Sequence, residues 1–452
     1  MWGGKLKVLL INPPGWVGDR IPLGYDLVPS VPLGLGYLAS TMESEGITAK
    51  IVDMDWGGFS KEELVDMISK FDPDIIGITS FTSNYANAVD IAKAAKSHNP
   101  NIKIVFGGVH ATFIHRDVLH TIPEVDIVVR YEGERAICEI CDALDRGRKL
   151  ENVKGISFRH DNRVFSTPLR HRIENLDSIP FPAFHLLEPS IEHYIGEGKE
   201  KGFPIITTRG CPFNCIFCST AALHGRKYRT RSANNVLDEM EFVQDKYKIN
   251  VISFADDNFT MKRNRVIELC RGIKERHLDF EWGCSARVDL LSKDLLEVMN
   301  SSGCKNIFFG IESASQRVLD TVKKGFSIEK AKEMVKLTEK MGIKTHCSFI
   351  LGLPNETVES IDEMIRFVEE TMPSGRVLPN VLEILPGTEL WDKESEYFGN
   401  TPSIPAADII RVQLELFYKF FEISSKGREL LTIEPPDIEI IGGSTAFAQT
   451  QM

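Results

Sequence analysis

Thr207-Thr208-Arg209-Gly210-Cys211-Pro212-Phe213-Asn214-Cys215-Ile216-Phe217-Cys218-Ser219 is the stretch on which the reading of this chain turns. It spaces three cysteines as C-x3-C-x2-C. Cubane iron–sulfur clusters are held by cysteine thiolates, usually four of them. A compact loop that offers three leaves one iron without a protein ligand. An open coordination position marks a catalytic metal site, whereas closed sites are structural. A zinc knot would want a fourth Cys or His close by. His224 is the near candidate, and its offset is unusual.

The flanks place this loop in a fold. From residue 203 to about 390 short apolar runs alternate with amphipathic ones. The pattern predicts strands over 204–208, 251–255, 281–286, 306–310, 345–351 and 377–384. Helices are expected over 233–246, 263–276, 293–301, 328–341 and 357–370. Six such units predict a parallel barrel, an incomplete one, whose chemistry collects at the C-terminal ends of the strands. The cysteines follow the first strand and therefore belong at that mouth.

The first 150 residues alternate in the same way. Strands are expected over 7–12, 49–53, 75–80, 103–107 and 127–130, and helices over 35–45, 61–70, 84–97 and 135–144. This pattern reads as a doubly wound parallel sheet. Ligands of such sheets bind beyond the carboxyl ends of the strands. Found there are Asn12, Pro13, Asp53, the run Ser80, Phe81, Thr82 and Ser83, then Gly107, Gly108 and His110, and finally Glu132, Gly133 and Glu134. Residues 151–200 read as a hairpin (154–159 with 162–166) and an extended linker around Pro180 and Pro182. In the last segment, 391–452, a helix is expected over 408–421 and a loosely ordered tail from 440. The expected class is α/β: a Rossmann-like sheet domain over 1–150, a linker over 151–200, a partial (βα)6 TIM-type barrel over 201–390, and a short, partly helical C-terminal region.

Composition narrows the function. The net charge of −11 argues against a nucleic-acid backbone as partner. The local basic run Arg226, Lys227, Arg229, Arg231 reads as a solvated loop or a phosphate or carboxylate contact. No apolar run approaches the ~18 residues of a membrane span, and the N-terminus has no signal-peptide layout. A cytoplasmic location is expected. It also suits nine cysteines with no disulfide-framework spacing.

The small molecule that fits an open iron is S-adenosylmethionine (SAM), whose amino and carboxylate groups can chelate it. Residues suited to a zwitterionic nucleoside recur at the predicted strand ends: Phe254-Ala255-Asp256-Asp257, Ser285-Ala286-Arg287, Gly310-Ile311-Glu312-Ser313 and Leu351-Gly352-Leu353-Pro354. Carboxylates can meet the ammonium or the ribose hydroxyls, and Arg287 can meet the carboxylate in a bidentate way.

The ordered set resembles the radical SAM enzymes that carry an N-terminal cobalamin-binding domain. The likeness runs from about residue 5 to 390. Gly-Gly-Val-His-Ala-Thr, Tyr-Glu-Gly-Glu, Ile-Pro-Phe-Pro, the cysteine loop, Phe-Ala-Asp-Asp-Asn-Phe-Thr, Gly-Ile-Glu-Ser and Leu-Pro-Gly-Thr-Glu-Leu carry it. It implies that Cys211, Cys215 and Cys218 ligate a 4Fe–4S cluster. Phe217 would lie near the adenine, and Asp256, Ser285, Arg287, Glu312 and Gly352 would contact SAM.

The dinucleotide reading of the first domain is weak, because Asn12-Pro13-Pro14-Gly15 stands where G-x-G-x-x-G would be needed. Asn12, Pro13, Ser80, Thr82, Ser83, Gly107, Gly108, His110, Glu132 and Gly133 are instead the expected cobalamin contacts. The Asp-x-His-x-x-Gly motif that supplies a lower axial histidine in many cobalamin domains is absent. His110 reads as a loop residue rather than a cobalt ligand.

Cys138 and Cys141 share a helix face and read as two buried small hydrophobes. Cys270, Cys284, Cys304 and Cys347 read as structural, with a thiol role inside the barrel as the alternative for Cys284 and Cys347, which stand near strand ends.

The resemblance implies reductive cleavage of SAM to a 5′-deoxyadenosyl radical, with C-methylation of an unactivated carbon as the leading expectation. The alternatives are a radical oxidation or cyclisation without methyl transfer, as in anaerobic cyclases, or a cobalamin-binding protein without radical chemistry. It further implies a small-molecule, lipid or tetrapyrrole-like substrate and an electron donor such as a flavodoxin or ferredoxin.

Overall fold

The computed structural model describes residues 6–15, 31–55, 60–161, 163–187, 191, 202–371 and 376–398. The helix expected over 408–421 and the tail from 440 lie outside the described residues.

β1 (Lys7–Asn12), β2 (Thr48–Asp53), β3 (Ile75–Thr79), β4 (Lys103–Gly107), β5 (Ile127–Val129), β6 (Ile156–His160) and β7 (Arg163–Ser166) form one sheet in the order β2-β1-β3-β4-β5-β6-β7. From β1 to β5 the pairing is parallel. Successive residues of β1 enter different cores, Val8 and Leu10 on one face, Leu9 and Ile11 on the other. A strand covered on both faces reads as a continuous apolar run, as Val-Leu-Leu-Ile does here. Helices Leu33–Ser44 and Glu134–Asp145 cover the first face, and Lys61–Phe71 and Tyr85–His98 the second.

The hairpin assigned from sequence to the linker belongs to this sheet. β6 pairs antiparallel with β5, and β7 with β6. The guanidinium of Arg130 pins the junction by donating to the carbonyls of Ile156 (3.1 Å) and Thr167 (2.5 Å). The proline-rich linker then packs on the first helix: Ala183 N–H donates to the Gly36 carbonyl at 3.0 Å, and a Cβ on Gly36 would stand 2.9 Å from the Pro182 side chain.

β8 (Gly202–Ile205), β9 (Thr208–Arg209), β10 (Arg229–Thr230), β11 (Val251–Phe254), β12 (Glu281–Ala286), β13 (Cys304–Glu312), β14 (Lys344–Leu351) and β15 (Arg376–Val381) make up the second half. Six of them form a parallel sheet, β15-β14-β13-β12-β11-β8, curled into a half-barrel. β9 and β10 form a separate antiparallel ribbon. The expected strand over 204–208 breaks at Ile206 because the next backbone N–H groups, those of Thr207 and Thr208, bond to Asp256 rather than to a neighbouring strand.

Period-two alternation divides the half-barrel. On β12 Trp282, Cys284 and Ala286 are buried against the helices, while Gly283 and Ser285 face the inside half-buried. This agrees with the structural reading of Cys284 and Cys347 and removes the alternative of a thiol role inside the barrel. Both stand on the helix-packed side, 5% and 0% exposed, and burial pushes both thiols well above their ordinary range. Cys138 and Cys141 are buried as read, their thiols pushed up to about 12.

Trp282 closes the core beneath β11 and β12. Its ring meets Phe254 (5.4 Å) and Phe259 (5.7 Å), and its indole N–H donates to the Ser302 carbonyl at 2.8 Å. Trp282→Ala is expected to cost about 3–5 kcal/mol in equilibrium denaturation. A loss below about 1 kcal/mol would show that this aromatic cluster is not load-sharing core.

Candidate active site

The cysteine loop leaves β9 under tight backbone control. Asp256, at the end of β11, is 3% exposed and accepts from Thr207 N–H (2.6 Å), Thr208 N–H (2.9 Å) and the Thr207 hydroxyl (2.5 Å). The structure therefore shows Asp256 anchoring the loop's entry. Gly210 follows with φ +97°, and a Cβ there would lie 2.5 Å from the Lys227 carbonyl oxygen. Cys211 N–H donates to the Gly225 carbonyl at 3.2 Å.

Cys211 and Cys215 are half-buried and Cys218 is exposed, all three as free thiols. Burial pushes the thiols of Cys211 and Cys215 up. The neighbouring thiols act in the same direction on both, while the cations of Lys324 and Arg287 pull Cys215 back down. Among the described residues no three His, Cys, Asp or Glu side chains converge as ligands of one metal ion. The chemistry of the loop still fits a cubane, whose thiolates bind separate irons and stand further apart than the ligands of one ion. As with any thiolate site, loading would release protons.

The rim residues gather around this loop. Glu312 ends β13 at φ +71°, in the left-handed region, where a non-glycine residue is strained. Its carboxylate accepts from Lys324 Nζ at 2.8 Å and from the Ser348 hydroxyl at 3.3 Å. Lys324 Nζ stands 5.8 Å from the centre of the Phe217 ring. The Arg287 guanidinium stacks on Phe213 at 3.6 Å, pairs with Asp289 at 3.0 Å and donates to the Lys324 carbonyl at 2.7 Å. Arg287 thus braces the loop from below, with Nε and Nη2 already engaged by protein. Ser285 looks into the half-barrel. Gly352 has φ +90°, and its N–H donates to Glu356 at 2.5 Å. Leu353 packs with Ile216 and Phe217 into a small apolar cluster beside the cysteines.

A cavity of about 380 Å³ lies between the two sheets. The first domain lines it with Gly107, Gly108, Glu132 and Gly133 among the expected residues, and with Tyr37, Phe81 and Tyr131 besides. From the barrel come Thr208, Arg209, His224 and Asp257. Asp257 accepts from the Thr220 hydroxyl at 2.9 Å, and its exposed surface is cavity wall.

Six expected contacts do not line this cavity. Asn12 donates to Asp53 at 2.8 Å. The Ser80 hydroxyl is spent on Gly107 O and Ala111 N–H. His110 lies in helix Gly108–Phe113, where it bonds to Thr82 (3.0 Å) and packs on Tyr85. Pro13, Thr82 and Ser83 likewise stand apart from it. Tyr37 carries no sequence signal, because its place in the wall comes from facing across a domain boundary, and Asp257 stood out only within its motif. The Asp256-Asp257 pair was the available signal.

The cavity also meets a chemical test for a large, amide-rimmed ligand. A Cβ on Gly107 or on Gly34 would meet nothing within 4 Å, so these glycines keep the space open. Glu134 Oε2 in the wall has no hydrogen-bond partner.

Family models match twice: the radical SAM superfamily over residues 205–368 and the B12 binding domain over 27–141. An uncharacterized methyltransferase of Pyrococcus horikoshii is 36% identical over 86% of this chain and 83% of its own length. The chain belongs to the radical SAM superfamily. A cytidylyl-2-hydroxyethylphosphonate methyltransferase of Streptomyces wedmorensis is 31% identical over 79% of this chain and 75% of its own. An anaerobic magnesium-protoporphyrin IX monomethyl ester cyclase of Rubrivivax gelatinosus is 34% identical over 76% of this chain, but the match covers 62% of the cyclase. The fold is that of the radical SAM methyltransferase TsrM of Kitasatospora setae, with a TM-score of 0.72 at 18% identity over 88% of this chain and 77% of that one. This radical SAM protein accordingly takes a 4Fe–4S cluster, SAM and cobalamin as its cofactors.

Two tests follow from the geometry. Gly107→Ala leaves stability within about 0.5 kcal/mol but weakens hydroxocobalamin binding several-fold, measured by absorbance titration. Gly108→Ala, at φ +89° with its Cβ 2.5 Å from the Ser80 oxygen, costs about 1–3 kcal/mol or more in urea denaturation. Glu356 supplies the second. Burial pushes its carboxyl up to about 7, above its unfolded value of 4.5, so its contribution is fully present below about 4.5 and is lost as pH rises through about 7. Stability should fall by about 3 kcal/mol across that window, and Glu356→Gln should flatten the fall.

Proposed function

We propose that this radical SAM enzyme transfers a methyl group from SAM to an unactivated carbon of a small organic substrate. The observation that carries the reading is one cavity walled on one side by the cobalamin domain and on the other by Thr208, Arg209, His224 and Asp257, which flank the cysteine loop. The methyltransferase relatives support it, at 36% and 31% identity over 83% and 75% of their own length.

Cys211, Cys215 and Cys218 would hold the cluster and leave one iron for SAM. When bound, the cluster supplies the electron for SAM cleavage and cobalamin supplies the methyl carrier. The protein's own part is placement. Asp256 fixes where the loop begins. Arg287, through Phe213 and the Lys324 backbone, holds the loop over the half-barrel. Glu312 presents a carboxylate already balanced by Lys324, which the SAM ammonium would share. Phe217, backed by the buried Leu353, would offer the adenine an apolar wall. Ser285, Phe308, His346 and Ser348 alternate onto the inner face, where a substrate would lie.

Among the described residues no helix is long and apolar enough to cross a membrane. A reducing cytoplasm, with a flavodoxin- or ferredoxin-type electron donor, completes the reading.

The test is product analysis after anaerobic reconstitution. S-adenosylhomocysteine together with 5′-deoxyadenosine is expected, and 5′-deoxyadenosine alone would favour the cyclase-type reaction. Cys215→Ala should lose cluster iron and all SAM cleavage; cleavage that persisted would overturn the ligand assignment.

A further inference from the structure

The ribbon that opens the cysteine loop has an electrostatic problem. Arg209 and Arg229 are direct cross-strand partners in β9 and β10. Like charges directly opposite one another destabilise a strand pair. Water cannot relieve this, because the two side chains are 12% and 2% exposed.

Both countercharges come from the other domain. Glu134, at the start of helix Glu134–Asp145, meets Arg209 at 2.5 Å. Glu132 meets Arg229 at 2.7 Å and reaches Arg209 at 3.6 Å. The second oxygen of Glu132 accepts from Ile173 N–H at 2.7 Å, and Arg229 donates to the Ile173 carbonyl at 2.7 Å. Glu132, Gly133, Glu134 and Arg209 all line the interdomain cavity.

Such a cluster is a poor source of stability, since desolvating buried ions offsets most of their attraction. It does set geometry. Between Arg209 and Cys211 stands only Gly210, packed against the Lys227 and Gly225 carbonyls, so little slack separates the arginine from the first ligand.

We propose that Glu132 and Glu134 are positioning residues for the cluster loop, and that through them cobalamin binding and cluster assembly are energetically coupled. A corrin filling the cavity packs against the two carboxylates and holds them on the arginine ribbon. An assembled cluster holds the ribbon from its other end. Each occupant therefore favours the same docked arrangement, and the coupling is reciprocal. The inference rests on the proposed assignment of the cavity to cobalamin and of the loop to the cluster.

The test uses full-length protein, anaerobic, with and without iron and sulfide reconstitution. Hydroxocobalamin affinity is titrated by absorbance in both states. The cluster-loaded wild type should bind at least about fivefold more tightly than the cluster-free form. Glu134→Gln should bring that ratio close to one. Lys227→Ala, which removes only an exposed pair with Glu174 on the same ribbon segment, should leave the ratio unchanged. A wild-type ratio of one overturns the coupling even if Glu134→Gln fails to fold, as does an unchanged ratio in Glu134→Gln. Tight but independent binding of both cofactors sinks only this inference; failure to bind either sinks the functional reading with it.

Discussion

Arg209 leaves the half-barrel two residues before Cys211 and closes on Glu134 of the other domain at 2.5 Å, with Glu132 and Arg229 completing a buried set of opposite charges. That contact joins the two domains beside both the cysteine loop and the cavity. On the barrel side it sets the start of the cysteine loop, which Asp256 holds through Thr207 and Thr208. On the other side it sets the turn between β5 and its helix, which walls the cavity. Two parallel sheets, each binding ligands at the carboxyl ends of its strands, are thereby turned to face one space.

Inside the half-barrel the same economy holds. Arg287 stacks on the loop and bonds to the backbone of Lys324, whose ammonium neutralises Glu312, itself strained at the end of β13. The positive charges of Lys324 and Arg287 partly offset the burial that pushes the Cys215 thiol up. Strain and buried charge are concentrated here, as expected where a site is held ready for a ligand rather than optimised for stability.

The repeating part of this architecture was legible in the sequence. Apolar runs covered on both faces gave β1 to β5 nearly residue for residue, and the spacing of Cys211, Cys215 and Cys218 marked the mouth of the barrel. What was hidden depends on contacts across long separations. The hairpin of β6 and β7 was legible as a hairpin, but its place in the first sheet was not, because pairing with β5 leaves no local trace. Asp256 looked like a SAM contact, but its carboxylate is taken by the backbone of the preceding crossover. Arg229 and Arg231 read as a solvated loop or a phosphate or carboxylate contact; they are carboxylate contacts, but buried ones, to Glu132 and Glu239, and neither the burial nor the partners had a local trace. His110 and Ser80 looked like ligand contacts and instead tie the ends of β3 and β4 together. In each case a polar residue at a strand end was free to serve the fold or the ligand, and only the third dimension separated the two.

The central claim is that one chain holds a cluster with an open iron and a corrin facing the same cavity. Its most direct test is metal and cofactor analysis of the anaerobically reconstituted protein, with its electron paramagnetic resonance spectrum after reduction. The account predicts about four irons and one cobalamin per chain, with a reduced-cluster signal that changes when SAM is added. Zinc in place of iron, or a cluster signal indifferent to SAM together with no bound cobalamin, would contradict it.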